Sequence, residues 1–294
     1  MPIKRVTILG TGLIGTSLGL ALRSHGFAGE IAGWDPDPAE LNAALDCGAV
    51  HFASSDAVAE ARSSDVTLLC GPVFTILEWM DRLAPVLKPG QLVTDVGSVK
   101  GALVERARGR YNLAESAGFL PGHPMAGKEV SGAANADANL FDSAAWLFTE
   151  TEESRGMHPA SRAIADEWRG WTGKLNCWVL DLDAERHDVL CAWVSHLPQF
   201  MSTALSALLQ DEFAAKDELL PIGGRALREM TRLGASPYSM WRDVAHTNTE
   251  AIAASLLALE QRLAHLRENL KTPELREEFE RANLFRFIPP ASKR

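Results

Sequence analysis

The chain has 294 residues, 46% of them hydrophobic and 23% charged, and its formal net charge is -9. This length and composition are typical of a globular enzyme with one or two domains and a large buried core. The acidic excess argues against nucleic acid or an anionic membrane surface as a partner, because both attract clustered lysine and arginine.

Short apolar runs alternate with helical patterns over roughly the first half of the chain, beginning with RVTILG at 5–10. Runs such as Val66 to Cys70 are apolar on both faces, as parallel strands covered by helices are. This order predicts an α/β fold whose N-terminal half is a doubly wound Rossmann sheet of parallel strands. We expect two further strands, at Ala145–Thr149 and Cys177–Leu180, to complete the same sheet, with a helix near Ala160–Trp171 between them.

The strand signals stop after Asp181 and the rest of the chain reads as helices, with Pro198 inside one pattern and a kink expected just before it. We therefore predict two domains, a doubly wound α/β domain at 1–181 and an all-helical domain at 182–294. One helix of about 20 residues carries a narrow leucine seam, which is buried either within its own bundle or between subunits, and we favour a homodimer. The seam consists of Ile252, Leu256, Leu259, Leu263, Leu266 and Leu270.

GTGLIG at 10–15 matches the dinucleotide-binding pattern G-x-G-x-x-G, directly after a predicted strand and at the start of an amphipathic helix. Gly10 makes the tight turn, Gly12 lets the backbone approach a pyrophosphate, and Gly15 allows close helix packing. The helix N-terminus offers free N–H groups to the anion. The alternative is a glycine turn that binds no nucleotide. The predicted cofactor-binding residues are Gly10, Thr11, Gly12, Leu13, Ile14, Gly15 and Asp35.

Asp35 ends the second predicted strand, where a carboxylate accepts hydrogen bonds from both ribose hydroxyls of NAD. The carboxylate would repel the 2′-phosphate of NADP, and the next residues are Pro36, Asp37 and Pro38 rather than arginine. We therefore predict NAD as the cofactor and regard NADP as the less favoured alternative.

Two residues further along the chain are candidates for catalysis. Ser98, in DVGSVK at 95–100, follows a predicted strand on the side where open α/β sheets bind ligands, although it could instead cap a helix beginning at Val99. His123 lies in GHPMAGKEVSG at 122–132, and histidine accepts a proton from a hydroxyl near neutral pH. A dehydrogenase that oxidises an alcohol needs such a proton acceptor.

Five motifs occur in order, namely GTGLIGTSLGLAL, DVGSVK, GHPMAGKEVSG, SHLPQ and TRLGASPYSMWRDV. Together they resemble the prephenate and arogenate dehydrogenase family of tyrosine biosynthesis over almost the whole chain. The resemblance implies an N-terminal NAD(P) domain, a helical dimerisation domain and an active site between them. It also implies NAD-dependent oxidative decarboxylation of prephenate to 4-hydroxyphenylpyruvate, with arogenate dehydrogenation to tyrosine as the alternative.

The resemblance assigns roles to individual residues. His123 matches the catalytic histidine that accepts the proton of the C4 hydroxyl of the substrate, and Ser98 matches the serine that holds this hydroxyl. Arg232 matches the substrate-binding arginine, whose planar guanidinium suits a carboxylate. Otherwise Arg232 would be a solvated arginine on a helix.

The resemblance also implies a pocket lined by His196, Trp241 and Glu129. From the residues alone, His196 and Trp241 could equally belong to the core and Glu129 to the solvated surface. Gln199, in SHLPQ, departs from the SHLPH of several prephenate-using members. A neutral amide supplies no positive charge to the substrate side chain, which makes arogenate more plausible without deciding between the two substrates.

Two other functions remain as alternatives. A β-hydroxyacid dehydrogenase or an imine reductase pairs similar domains, but we expect a catalytic lysine in its second half. Here that half has few lysines, with Lys216 in a polar stretch and Lys271 at a helix end. The other alternative is a non-enzymatic sensor that binds NAD and signals through its dimer. Such a sensor would not need Ser98, His123 and Arg232 together.

The four cysteines are far apart and form no C-x-x-C pair, which indicates reduced thiols in a cytoplasmic protein. We expect no export or membrane insertion, because no signal peptide and no apolar run of about 18 residues are recognisable. No metal site is predicted. The chain ends soon after the leucine seam, so we also expect no appended regulatory domain of the kind that some members carry.

Overall fold

The N-terminal part of the protein is built on a parallel sheet; the structure is a computed structural model that describes residues 3–213 and 216–286. The sheet contains six strands, β1 (Arg5–Leu9), β2 (Glu30–Trp34), β3 (Phe52–Ala53), β4 (Val66–Leu69), β5 (Leu92–Asp95) and β6 (Gly118–Leu120). Their spatial order is β3-β2-β1-β4-β5-β6 and every pairing is parallel. This is the doubly wound order of dinucleotide-binding domains and confirms the predicted fold class.

Helices cover both faces of this sheet, so alternate residues of one strand enter different cores. Leu68 packs in the core on one face and its neighbour Leu69 in the core on the other. The connecting helices are α1 (Leu13–Ser24), α2 (Pro38–Asp46), α3 (Ala57–Arg62), α4 (Val73–Leu83) and α5 (Gly101–Ala107).

Three further strands form a second sheet instead of extending the first. They are β7 (Gly122–Pro124), β8 (Ala145–Phe148) and β9 (Trp178–Asp181), in the order β7-β8-β9 with β7 antiparallel to β8. The prediction that the last two strands complete the Rossmann sheet was therefore wrong. Pro121 separates β6 from β7, and since it has no N–H to continue the ladder, the chain changes sheets at this residue. Two helices, α6 (Glu152–Arg155) and α7 (Pro159–Lys174), join β8 to β9.

The described residues after β9 are mostly helical, as predicted. Its helices are α8 (Ala184–Cys191), α9 (Leu197–Glu212), α10 (Lys216–Thr231), α11 (Tyr238–Thr247), α12 (Thr249–Glu268) and α13 (Glu274–Arg286). A π-helical turn, Ala192–His196, joins α8 to α9 directly before Pro198. The expected distortion is therefore present, because proline cannot supply the N–H of a regular turn.

The leucine seam lies on α12, except for Leu270, which follows the helix, and it is buried over only part of its length. Ile252 is 4% exposed and Leu256 packs against the core, whereas Leu263 is 55% and Leu270 63% exposed. The seam thus packs within its own subunit at one end and presents apolar surface at the other. Over residues 3–213 and 216–286, the helices are too short or too polar to cross a lipid bilayer.

Candidate active site

The glycine loop lies between β1 and α1 and fits a dinucleotide. Gly10 has φ +103°, and a Cβ there would collide with the backbone carbonyl of Cys70. A Cβ at Gly15 would collide with the carbonyl of Gly10. A Cβ at Gly12, in contrast, would have no atom of the described residues within 4 Å. The loop therefore needs glycine for its turn and for helix packing, and leaves room for a phosphate at its centre.

The N-terminus of α1 faces the same space. Its N-cap, Gly12, supplies no side chain to the first turn, so the N–H groups remain available to an anion. Leu13 is buried and Ile14 packs partly against the core, so their backbones rather than their side chains face the loop. Thr11 is fully buried, and within the described part of the chain its Oγ1 has no hydrogen-bond partner. This orphaned hydroxyl is a further polar atom available to a bound cofactor.

Asp35 is held beside the glycine loop at the end of β2. Its Oδ2 accepts a hydrogen bond from the N–H of Thr11 at 2.7 Å, and its Oδ1 accepts one from the N–H of Asp37 at 2.9 Å. These bonds fix the carboxylate at the edge of the pyrophosphate site, while each oxygen keeps a second lone pair. The arrangement is compatible with the ribose hydroxyls of NAD, and the role of Asp35 in binding them stays a prediction.

One buried carboxylate joins the two segments that carry the catalytic candidates. Asp95, at the end of β5, accepts a hydrogen bond from Gly97 N at 2.8 Å and one from Gly122 N at 3.1 Å. It also forms an ion pair with the ammonium of Lys100, which is fully buried as well. Gly97 precedes Ser98 and Gly122 precedes His123. Asp95 therefore holds both segments at the carboxyl end of β5.

Ser98 is half-buried and does not cap a helix, so the alternative interpretation of this residue was wrong. Helix α5 begins at Gly101, and its N-cap is Lys100. The first N–H groups of α5 instead donate to a carboxylate from α8, since Asp188 accepts Lys100 N at 2.7 Å and Gly101 N at 2.8 Å. Ser98 is therefore free of this structural role.

His123 lies in β7 and is 6% exposed. Its Nδ1 is 2.9 Å from Nε2 of His187, and Nδ1 of His187 is 2.8 Å from Oδ1 of Asp188. Both partners belong to α8, so the hydrogen bonds cross from the second sheet to the helical part of the protein. This chain of two imidazoles and a carboxylate was absent from the sequence-based predictions.

The pKa of His123 lies well below its usual value, first because the ring is buried. The positive charges of protonated His187, of Lys100 and of protonated His196 lower this pKa further. Burial also lowers the pKa of His187, although the hydrogen bond to Asp188 opposes the shift. Near neutral pH, His123 is therefore a neutral imidazole that can accept a proton.

One cluster among the described residues has the spacing of a metal site. The potential ligand atoms of His123, His187 and Cys191 all lie within 4.8 Å of one another. The 2.9 Å between the two ring nitrogens fits a direct hydrogen bond better than two zinc ligands, which stand about 3.4 Å apart in a tetrahedron. Burial raises the pKa of Cys191 to about 12, so its thiol is protonated. We therefore interpret the cluster as hydrogen-bonded histidines.

His196 ends the π-helical turn and is fully buried. Its Nδ1 is 3.3 Å from Nδ2 of Asn248, and its ring meets Trp241 edge to face at 5.9 Å. Burial lowers the pKa of His196 to about 4, while the charge of Asp188 and the backbone of Ser98 oppose this shift. His196 is thus a neutral side chain close to the Ser98 segment.

An open pocket of about 230 Å³ lies between α9 and α11. Gln199 and Trp241 both line it, and the indole Nε1 of Trp241 is buried with no partner among the described residues. The amide of Gln199 donates to Thr203 Oγ1 and to the carbonyl of Leu233, and its oxygen accepts from Ser236. Gln199 therefore anchors the segment that follows Arg232, a role that the sequence did not reveal.

Arg232 begins a short 3₁₀ turn, Arg232–Ala235, and forms an ion pair with Glu129. The arginine is 58% exposed in its side chain and the glutamate 26%. Glu129 belongs to the loop after β7, so this pair connects the two parts of the molecule near the His123 segment. The structure thus brings the predicted Glu129 and Arg232 into direct contact.

Five residues of the site were missed: Asp95, Lys100, His187, Asp188 and Asn248. One signal was present in the sequence, because His187 and Cys191 are four residues apart and share a face of α8. The contact with His123 spans 64 residues of chain and has no local signature.

Two family models match the chain. The model described as prephenate dehydrogenase, nucleotide-binding domain, matches residues 18–175, and the model described as prephenate dehydrogenase, dimerization domain, matches residues 183–286. Among curated proteins, a prephenate dehydrogenase of Lactococcus lactis subsp. cremoris is 31% identical over 84% of this chain. The match spans 66% of that relative, just under two thirds of its length.

Solved structures show the same similarity over nearly the full chain. A prephenate dehydrogenase from Aquifex aeolicus, in complex with hydroxyphenyl propionate and NAD+, is 28% identical with a TM-score of 0.84 and covers 97% of this chain and 98% of its own. An arogenate dehydrogenase from Synechocystis is 30% identical with a TM-score of 0.73, and the match covers 96% of this chain and 98% of the Synechocystis chain.

Proposed function

The chain belongs to the prephenate dehydrogenase family, and from this premise we propose that it catalyses the NAD-dependent oxidative decarboxylation of prephenate to 4-hydroxyphenylpyruvate. The observation that carries the proposal is that His123 is a neutral and almost fully buried imidazole close to Ser98 in the fold. Asp95 holds the two segments together through its hydrogen bonds to Gly97 N and Gly122 N. The glycine loop and Asp35 supply the NAD site, in keeping with the NAD+ of the Aquifex aeolicus structure.

In the proposed reaction, Ser98 holds the C4 hydroxyl of the substrate and Nε2 of His123 accepts its proton. Bound NAD supplies the acceptor for the hydride that leaves C4. The carboxylate on the ring then leaves as carbon dioxide, and the electrons of its C–C bond enter the ring, which becomes aromatic. The C4 oxygen takes back the proton from His123, which gives the phenol. Aromatisation makes the reaction effectively irreversible, so the protein mainly has to orient the ring and hold one proton.

The substrate carboxylates need polar partners, and Arg232 is the proposed one because guanidinium matches a carboxylate with two parallel hydrogen bonds. We propose that the carboxylate replaces Glu129 as the partner of Arg232, since the pair is accessible to solvent. Glu129 then borders the entrance to the site. Trp241 lines the pocket, and among the described residues its Nε1 donor has no partner. The neutral ring of His196 is buried against Trp241 and supports it.

Arogenate is the alternative substrate, and two observations support this alternative. The structure from Synechocystis is named an arogenate dehydrogenase, and Gln199 offers the pocket a neutral side chain. Because the amide of Gln199 already bonds to Thr203, Leu233 and Ser236, its effect on the choice of substrate is through the shape of the pocket.

We also propose a homodimer formed by the helical part, with a domain boundary after Asp181, where β9 ends. The exposed end of the seam at Leu263 and Leu270 supports such an interface, as does the description of the matched dimerization domain. The proposed helical domain extends to 294, and residues 287–294 lie outside the described residues. A cytoplasmic location is part of the proposal, supported by four free cysteines.

A steady-state assay of NADH or NADPH formation tests the proposal, with prephenate or arogenate against NAD or NADP in all four combinations. The proposal expects the highest kcat/KM for prephenate with NAD. A higher value for arogenate would establish the alternative. A lack of turnover with either substrate would contradict the family activity and favour the NAD sensor.

A further inference from the structure

We propose that His187 and Asp188 are positioning residues that fix the tautomer of His123, so that Nε2 of His123 is always the nitrogen that lacks a proton. The catalytic consequence rests on the proposed function, because only a hydroxyl-bearing substrate needs this base. The hydrogen-bond chain itself rests on the geometry of three buried side chains.

The direction of the hydrogen bonds follows from Asp188. An ionised carboxylate only accepts, so Nδ1 of His187 carries the proton in the 2.8 Å contact with Oδ1 of Asp188. A neutral imidazole with a proton on Nδ1 has a lone pair on Nε2. Nε2 of His187 therefore accepts from Nδ1 of His123 at 2.9 Å. This leaves the other nitrogen of His123, Nε2, as the base for the substrate hydroxyl.

The carboxylate of Asp188, which ends the chain of hydrogen bonds from His123, is held rigidly by the protein. The two oxygens of Asp188 accept the N–H groups of Lys100 and Gly101, and its backbone carbonyl accepts from Nδ2 of Asn248 at 2.9 Å. These bonds prevent rotation of the carboxylate away from His187. Both imidazoles are buried, so water does not compete for the ring nitrogens.

The chain of bonds also crosses between structural units. His123 belongs to β7, whereas His187 and Asp188 belong to α8, which precedes the helices lining the substrate pocket. His123 is therefore set as a base only when α8 is packed against β7. In Ser-His-Asp triads, loss of the correct histidine tautomer lowers kcat by about 10⁴-fold, which shows how much such an orienting group can contribute.

Two substitutions at one position separate tautomer control from packing. In His187→Gln the amide can donate to Asp188 and accept from His123, so both hydrogen bonds are retained. In His187→Leu the volume is similar and both bonds are lost. We expect kcat of H187L to fall about 10²-fold or more, with KM for the dicarboxylate substrate changing less than about threefold. We expect H187Q to recover kcat to within about tenfold of the native value.

Cys191→Ala is the matched control. Cys191 lies one turn further along α8, and its Sγ is 3.6 Å from Nε2 of His187 and 3.9 Å from Nδ1 of His123. Its thiol makes a weak side contact to both rings, whereas the shorter bonds of 2.9 and 2.8 Å connect His123 to His187 and His187 to Asp188. C191A should keep both kcat and KM close to native. A loss of activity in C191A equal to that of H187L would assign the effect to packing and overturn the proposal.

Nitrogen-15 NMR of histidine-labelled protein reads the tautomer without any substrate. We expect His123 to carry its proton on Nδ1 in the native protein, in C191A and in H187Q, and to lose this preference in H187L. A proton on Nε2 of His123 in the native protein would overturn the proposal even if H187L does not fold. If the native enzyme oxidises neither prephenate nor arogenate, the proposed function fails while the NMR result still decides the tautomer.

Discussion

His123 and His187 face each other across the contact between β7 and α8, with ring centroids 5.1 Å apart and one hydrogen bond between them. Their segments are separated by 64 residues and belong to different parts of the molecule. The imidazole of the proposed base thus contacts a residue that the helical part supplies. Under the proposed function, catalysis depends on how α8 packs against β7.

Substitution of the proposed base should abolish most of the activity while leaving the cofactor site intact. In His123→Asn the side chain can still bond to His187 but cannot accept the substrate proton, so we expect kcat to fall by about 10²- to 10⁴-fold. Steady-state NADH formation and NAD binding by fluorescence measure the two effects. His25→Asn, at the exposed end of α1, serves as the control. Native turnover in H123N would remove His123 from the mechanism.

The pH dependence of kcat/KM should report the lowered pKa of His123. Burial, then the charges of His187, Lys100 and His196, hold this pKa below 6.5, so the base stays unprotonated in mildly acidic solution. The acid limb of the profile should consequently lie below pH 6.5 and fall tenfold per pH unit beyond it.

Folding stability changes in the same direction as this rate. Because the pKa of His123 is lower in the folded protein, the unfolded chain binds more protons, and stability is lost as pH falls below 6.5. At each pH of the kcat/KM profile, a sample of the enzyme is therefore also returned to pH 7 and assayed there. A loss of activity in that sample reveals irreversible unfolding. An acid limb centred above pH 6.5 would contradict the prediction.

The sequence was sufficient for features whose cause is local. The glycine loop, the strand–helix alternation and Asp35 each follow from a short stretch of chain, and the structure shows them as expected. The second sheet was missed because strand pairing is not local, and the chain changes sheets at Pro121, between β6 and β7. Asp188 was missed because its partners, the N–H groups at the start of α5, lie 87 and 88 residues away.

Arg232 should act on substrate binding more than on chemistry. Removal of its guanidinium in Arg232→Ala takes away one charge-assisted contact, worth about 1.5–3 kcal/mol, so we expect KM for prephenate to rise about 10- to 100-fold. Arg232→Lys should give an intermediate KM, because an ammonium lacks the planar fork. Steady-state kinetics with saturating NAD measures both variants.

The control for Arg232 is Arg228→Ala, which removes an exposed arginine one turn earlier on α10. Its KM for prephenate should stay native, and KM for NAD should be unchanged in all three variants. An unaltered KM for prephenate in R232A would show that the carboxylate is bound elsewhere.

The preference for NAD should depend on the charge of Asp35. Asp35→Asn keeps an acceptor for the N–H of Thr11, so the glycine loop retains its anchor while the negative charge is removed. The weaker bond to the ribose should lower kcat/KM for NAD about tenfold, and loss of the repulsion should raise kcat/KM for NADP. The ratio of the two values, measured with one substrate, is the readout. Asp37→Asn is the matched control, because Asp37 is exposed nearby and Asn still caps α2 through Ala39 N. If D35N and D37N left the ratio equally unchanged, Asp35 would not select the cofactor.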